Sequence, residues 1–240
     1  MRSFLSVLMW AYWTICFHLC LVIVVILFVI TYPFDKYRQI PNKFLKVLAW
    51  FILKIIPTWY FRIKGADSAK ISKPTMVVAN HQSFLDIPLL YLLPWTMKWV
   101  TKKSLLKIPV LGWITAMTGH LPIDRKSLRS FRTMDALVEP IQKGIPGLIF
   151  PEGTRSRTGD MKPFKNGAFA LAKKYNFQIL PVVLKGGHEA MPRGSWRFSF
   201  NKNFVVSVLN PIDSSVFEST EQLRDEAFGQ IQDELTAIKL

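Results

Sequence analysis

Charge is absent from the first part of this sequence: between Ser3 and Phe34 there is no Lys, Arg, Asp or Glu. A helix over Phe4 to Tyr32 would be roughly 43 Å long against about 30 Å of bilayer hydrocarbon, long enough to span if tilted. A cleaved signal peptide fits worse, because the apolar region outruns the usual ~7 to 15 residues and no small-x-small cleavage site follows it. Cysteine is scarce. Cys16 and Cys20 are the only two, both in the uncharged run, so the rest of the chain can form no internal disulfide and suits a reducing compartment. They do not make a metal site with His18, since no fourth ligand or paired Cys/His motif accompanies them. Also missing are a Gly-x4-Gly-Lys-Ser/Thr phosphate loop, a Gly-x-Gly-x-x-Gly turn, a His-Glu-x-x-His pair and a Cys-x-x-Cys pair, which disfavours nucleotide-hydrolysing and zinc enzymes. Without a Gly-x-Ser-x-Gly elbow there is no obvious protein nucleophile either. Acidic residues are few, 16 against 31 Lys and Arg, and this field draws the protein toward anionic surfaces: phospholipid headgroups, nucleic acid or phosphorylated substrates.

What is present bounds the architecture. A chain of 240 residues, half of them apolar, buries one sizeable core, so the expected organisation is an N-terminal membrane anchor over residues 1–57 and one catalytic domain over 58–240. A second segment, Lys43 to Ile56, places Lys43, Lys46, Trp50 and Lys54 on one helix face. It is too short to span. It suits an interfacial helix with its apolar side in lipid and its lysine stems reaching the headgroups, the alternative being an amphipathic helix packed on the domain. Lys36, Arg38, Lys43 and Lys46 outnumber Arg2 on the other flank, which puts the body in the cytoplasm. The sequence leaves open whether Phe4 to Tyr32 spans the bilayer or forms, with the second helix, a hairpin in one leaflet.

After Pro57, Val- and Ile-rich runs alternate with helical patterns, the mark of an α/β fold with a mixed, largely parallel sheet flanked by helices. Strands are expected near Tyr60–Lys64, Thr75–Ala79, Lys98–Val100, Gly119–Ile123, Gly147–Phe150, Ile179–Leu184 and Phe204–Leu209. Helices are expected at Ser83–Leu93, Leu111–Met117, Ser127–Lys143, Lys165–Tyr175 and Glu221–Ile238, with Gly186 to Arg197 an irregular loop.

Two constellations carry chemistry. Asn80-His81-Gln82-Ser83-Phe84-Leu85-Asp86 follows an apolar run at a strand-to-helix turn. On one regular helix His81 and Asp86 would diverge by about 140°. They meet if His81 lies in the turn, with Ser83 as N-cap and Asp86 in the first helical turn. Asp86 then fixes the imidazole tautomer and stabilises the imidazolium, which describes a general base with its orienting partner. Lacking a protein nucleophile, such a base would activate a substrate hydroxyl. The second, Phe150-Pro151-Glu152-Gly153-Thr154-Arg155-Ser156-Arg157, offers arginines, hydroxyls and a close-approach glycine to a phosphate. Lys102, Lys103 and Arg125 are candidates for a positive funnel around it, while His120 and His188 have no partner at diagnostic spacing and read as structural.

The blocks Asn80 to Asp86 and Phe150 to Arg155, about seventy residues apart, resemble the His-x4-Asp and Phe-Pro-Glu-Gly-Thr-Arg motifs of the glycerolipid acyltransferase family, especially its bacterial 1-acylglycerol-3-phosphate branch. Lys102 to Trp113, Pro122 to Arg125 and Leu180-Pro181-Val182-Val183 resemble that family's other blocks. The resemblance implies that His81 and Asp86 are catalytic and that His81 deprotonates the 2-hydroxyl of lysophosphatidate for attack on acyl-CoA or acyl-carrier protein thioester. It implies that Glu152, Gly153, Thr154 and Arg155 bind the glycerol phosphate, assisted by a lysine of the Lys102 and Lys103 pair, and that no metal or other cofactor is needed. Membrane phospholipids, lysophosphatidate and the acyl thioester are the expected partners, nucleic acid is not, and the expected location is the cytoplasmic face of a bacterial inner membrane. Other lysophospholipids or lyso-aminolipids are alternative acceptors. From a different class, a non-catalytic basic membrane adaptor would leave the ordered motifs unexplained.

Overall fold

The computed structural model describes residues 2–67, 71, 73–124 and 133–240. The chain opens with two long helices, α1 (Arg2–Thr31) and α2 (Gln39–Lys54), and continues into a seven-stranded sheet. The strands are β1 (Trp59–Lys64), β2 (Thr75–Ala79), β3 (Lys98–Lys102), β4 (Leu121–Ile123), β5 (Gly147–Ile149), β6 (Gln178–Lys185) and β7 (Lys202–Val208). Between them lie α3 (Asp86–Leu90), α4 (Leu111–Met117), α5 (Val138–Gln142), α6 (Gly167–Tyr175), α7 (Gly187–Ala190) and, last, α8 (Thr220–Ala237). The sheet order is β1-β7-β6-β2-β5-β3-β4, and every neighbouring pair is parallel except β6 and β7. All seven strands fall where the alternation of the sequence puts them, and the mixed α/β class stands.

Successive side chains of a strand face opposite sides of its sheet, and the central strands divide accordingly into two cores. Val77 and Ala79 of β2, Leu180 and Val182 of β6 and Leu148 of β5 pack toward α1, α2 and α3, in one cluster with Trp13, Val24, Leu48, Leu53 and Leu89. Met76, Val78, Ile179, Val183 and Ile149 pack on the other side with Ile141, Phe169, Leu171 and Ile231 of α5, α6 and α8. Residues 1–57, read as an anchor, therefore share a core with one face of the sheet.

Two expectations are corrected and one is narrowed. The helix anticipated over Ser83–Leu93 shrinks to Asp86–Leu90. Ser83 does not cap it: its hydroxyl donates to the Met191 carbonyl at 2.7 Å, and Pro88 is tolerated only because it falls in the first helical turn. One apolar side of α2 packs on protein, as in the alternative of an amphipathic helix docked on the domain. Leu45, Leu48, Ala49, Ile52 and Leu53 are buried, Lys46 donates to the Pro94 carbonyl at 2.7 Å, and the exposed face mixes Lys43 with Val47, Trp50 and Phe51. Finally, residues 127–132 of the helix expected over Ser127–Lys143 lie outside the described residues, and the rest is helical but interrupted: Thr133 and Met134 are α-helical, Asp135–Leu137 is a 3-10 turn, and α5 follows.

Along α1 the two sides differ. Trp13, Cys20 and Val24 are buried, while Phe4, Val7, Ile15, Leu19, Val22, Ile26 and Val29 are exposed. The helix touches the body along its length: near its start Arg2 hydrogen-bonds Ser199, Trp10 Nε1 donates to the Trp196 carbonyl at 2.8 Å and Ser6 Oγ accepts from Phe198 N at 3.0 Å. Beyond its end, Asp35 accepts from the amides of Gln39 and Ile40, capping α2.

Candidate active site

β2 and β5 are parallel neighbours, with Met76 opposite Gly147 and Val78 opposite Ile149. Both exit the sheet at the same edge, where α/β folds place their ligands. This register is the physical reason that two motifs about seventy residues apart meet. Asn80, fully buried, extends β2 by one side-chain rung: its amide donates to the Leu184 carbonyl and accepts from Leu184 N, each at 2.8 Å. The backbone is then free to turn at His81.

His81 Nδ1 lies 2.8 Å from Asp86 Oδ2. The same carboxylate oxygen accepts from Gln82 N at 2.7 Å and Ser83 N at 2.9 Å, and Asp86 is fully buried. Two backbone amides thus fix an oxygen at that position, so Nδ1 must present its proton to it, and in the neutral ring Nε2 is the nitrogen without a hydrogen. Nε2 has no hydrogen-bond partner among the described residues. The imidazole is stacked on Phe150, with centroids 3.9 Å apart at 14°, and it lines a cavity of about 360 Å³. A neutral imidazole with one nitrogen tied to a buried carboxylate and the other open to a cavity is built to take a proton.

The other atom of that carboxylate, Oδ1, has no hydrogen-bond partner among the described residues and points at α7. There Gly187 is required by space: a Cβ on it would sit 2.9 Å from both Asp86 Oδ1 and the Ser83 Cβ. Gly186 before it has φ of +97°, which favours glycine, and its Cβ would meet the Asn203 carbonyl at 2.1 Å.

The second motif is stitched to the first. Glu152 Oε1 accepts from His81 N at 2.6 Å and Oε2 from Lys162 N at 3.1 Å, Ser156 N donates to the His81 carbonyl at 2.8 Å, and Gln82 Nε2 donates to the Gly159 carbonyl at 2.6 Å. Glu152 is buried, with each oxygen engaged by a backbone amide, so it holds the turns together and does not line the cavity. Burial pushes its carboxyl up to about 7. Thr154 and Arg155 line the cavity beside His81, and so does Lys102 at the end of β3, while Gly153 supplies the turn's left-handed residue with φ of +72° and lies outside the lining. Lys103, one residue further, starts a 3-10 turn, is exposed and does not line the cavity. Arg125 lies outside the described residues. His188 is partly buried beside Gly159. His120, in contrast to its purely structural reading, reaches the far part of the cavity wall, stacked on Trp99 at 3.8 Å with Tyr91 Oη 3.2 Å from Nε2.

Most of the remaining lining is apolar and comes from the helical hairpin and the α3 to α4 region: Phe17, Leu45, Leu48, Ile52, Ile87 and Ile114 among others. The cavity joins a cationic rim at the sheet edge to a greasy interior under the two N-terminal helices. No short motif marks this pocket in the sequence. Arg193, which also lines it, was missed as well: it sits in a Gly- and Pro-rich stretch without periodicity.

A family model described as Acyltransferase matches residues 60–185, more than half of the chain and both motif turns. The chain belongs to the acyltransferase family. Its relatives agree with the assignment. The chain is 34% identical over 238 residues to a chloroplastic 1-acyl-sn-glycerol-3-phosphate acyltransferase of Brassica napus, covering 93% of this chain and 67% of the relative. It is 29% identical over 215 residues to the protein of that name in Haemophilus influenzae, covering 87% and 86% respectively. Across three plant and algal relatives the chain spans from 49% to 67% of their length. Among solved structures, the 1-acyl-sn-glycerophosphate acyltransferase PlsC of Thermotoga maritima matches with a TM-score of 0.84 at 25% identity over the whole of both chains. In this acyltransferase, then, the shared fold includes the two N-terminal helices.

Proposed function

We propose that this acyltransferase is a 1-acylglycerol-3-phosphate O-acyltransferase, moving a fatty acyl group from a thioester to the sn-2 hydroxyl of lysophosphatidate and forming phosphatidate. The observation that carries the reading is the placement of His81 Nε2, open to a cavity that is cationic at its rim and apolar within. Nε2 takes the proton of the 2-hydroxyl as the oxygen attacks the thioester carbonyl. The tetrahedral intermediate collapses, the C–S bond breaks, and the imidazolium returns its proton to the departing thiolate. Asp86 holds the ring and offsets its transient positive charge. The names of the relatives favour lysophosphatidate as acceptor, and Thr154, Arg155 and Lys102 provide donors for its phosphate. Phosphatidate formation by the purified enzyme, assayed with lysophosphatidate and other lysolipids against acyl-CoA and acyl-carrier protein, tests acceptor and donor together. The expected result is a preference for the phosphate monoester; a lysophospholipid diester or lyso-aminolipid used faster would replace it as acceptor.

The same reading places the enzyme on the membrane surface with its catalytic body on the cytoplasmic side. α1 is long and apolar enough to cross a bilayer, but its first turns are hydrogen-bonded to the body through Arg2, Ser6 and Trp10, and Trp13, Cys20 and Val24 further along are buried in the core. A helix that stays docked along its length lies beside the body in one leaflet, its exposed apolar face in lipid. A protease site attached before Met1 is therefore expected to be cut from the same side as the catalytic body in sealed vesicles. Protection from that side, with cutting from the other, would mean that α1 leaves the body and spans.

A further inference from the structure

The return from β6 to β7 is the one antiparallel connection in the sheet, and it folds residues 186–201 back over the strand ends. Its central residue, Arg193, belongs to no motif. The guanidinium lines the cavity together with His81 and Arg155, and its Nη1 donates to the Arg155 carbonyl at 2.8 Å. That carbonyl also accepts from Lys162 Nζ at 3.1 Å. Among the described residues Arg193 makes no other side-chain hydrogen bond, which leaves four of its five N–H groups for a ligand.

Arg193 is held firmly relative to the base. Ser83, two residues from His81, forms an isolated β-bridge with Pro192 and donates its hydroxyl to the Met191 carbonyl. On the far side, Ser199 N donates to the Ala190 carbonyl at 2.7 Å, closing the loop on itself. Both guanidiniums are partly buried, and among the described residues neither forms an ion pair with a carboxylate. Arg155 is pushed below the usual arginine range by burial first and by the charge of Arg193 second, yet an arginine stays charged. Two like charges lining one cavity in partly desolvated space repel one another, and a bound anion relieves both the repulsion and the unmet donors.

We propose that Arg193 is a phosphate-binding residue, which with Arg155 grips the phosphate monoester of the acceptor and sets the enzyme's preference for it. The inference rests on the lysophosphatidate reading above. A monoester carries nearly two negative charges and three terminal oxygens, enough to engage both guanidiniums at once. A diester offers one charge and fewer free oxygens.

The test separates binding from turnover. A lysophosphatidate analogue lacking the 2-hydroxyl cannot be acylated, and its affinity is measured by titration calorimetry for wild type, Arg193→Gln and Arg193→Lys. The same analogue without its phosphate serves as control. Arg193→Gln is expected to weaken binding of the phosphorylated analogue roughly 10- to 100-fold, the range of a lost charge-assisted hydrogen bond. Arg193→Lys falls between, since a lysine keeps the charge and loses the fork. Both variants bind the phosphate-free control as wild type does, which also shows that they are folded. Wild-type affinity in Arg193→Gln, equal losses for the two analogues, or no binding of the phosphorylated analogue to wild type would each overturn the proposal. Tight binding by wild type and weak binding by Arg193→Gln, with no acylation of lysophosphatidate, would sink the acceptor reading and leave Arg193 in place.

Discussion

Replacing His81 with alanine is expected to lower turnover by about 10²- to 10⁴-fold, the usual range for loss of a positioned general base, while membrane association and melting temperature change little. The neighbouring carboxylate allows a sharper expectation. In Asp86→Asn, the amides of Gln82 and Ser83 still demand an acceptor where Oδ2 stood, so the asparagine presents its oxygen there and its NH2 toward α7. His81 keeps its Nδ1–H tautomer. What is lost is the negative charge that stabilises the imidazolium, so the drop should be on the order of 10²-fold, less than that expected where an asparagine flips the tautomer. Asp86→Ala also frees the two amides and should lower turnover further and destabilise the turn. Single-turnover rates of the purified variants measure this directly. Turnover within about tenfold of wild type in His81→Ala would remove the imidazole from the chemistry.

The dyad and the strands were legible because both rest on local pattern. A continuous apolar run such as Met76, Val77, Val78 and Ala79 is buried on both faces of the sheet, and the His81 turn follows directly from the strand's end. The meeting of the two motifs is a consequence of the register between β2 and β5, which no local pattern encodes. The roles inside the second motif were less legible for the same reason. Glu152 and Arg155 look equally ready for a ligand in the sequence, but the partners that occupy Glu152 are backbone amides of other segments. Lys102 and Lys103 are adjacent, and the end of β3 decides between them: Lys102 closes the strand and lines the cavity, while Lys103 starts the 3-10 turn. In α2, apolar residues lie on several faces, so packing against α1 and the sheet, rather than period, selects the buried one. Arg193 is the extreme case, since its place at the site depends wholly on the path of a long connection between antiparallel strands.

Glu152→Gln is expected to lower kcat by about 10- to 100-fold, with a smaller change in the KM for the acceptor. The side chain does not line the cavity. It positions His81 through the 2.6 Å bond to His81 N and ties that turn to Lys162 N. Glutamine can keep one acceptor but sets an NH2 against the other amide, so the turn shifts, and misplacement of a base by about 1 Å can cost on the order of 10²-fold. Stability should move the opposite way with pH. Burial raises the folded carboxyl to about 7 from the ordinary 4.5, with the charge of Asp86 adding to it and the two amide bonds opposing. The folded state therefore binds the proton more tightly than the unfolded state. The stabilisation this gives is complete below about pH 4.5 and is lost as pH rises through about 7, amounting to at most about 3 kcal/mol. Glutamine has no such titration. Melting curves near pH 5 and near pH 8 should show wild type losing ground to Glu152→Gln as pH rises; a constant difference would mean that Glu152 is ionised across the whole range. The ionised carboxylate is the form that accepts both amides and holds the base, so the enzyme accepts a less stable turn at the pH where it works in order to keep His81 aimed into the cavity.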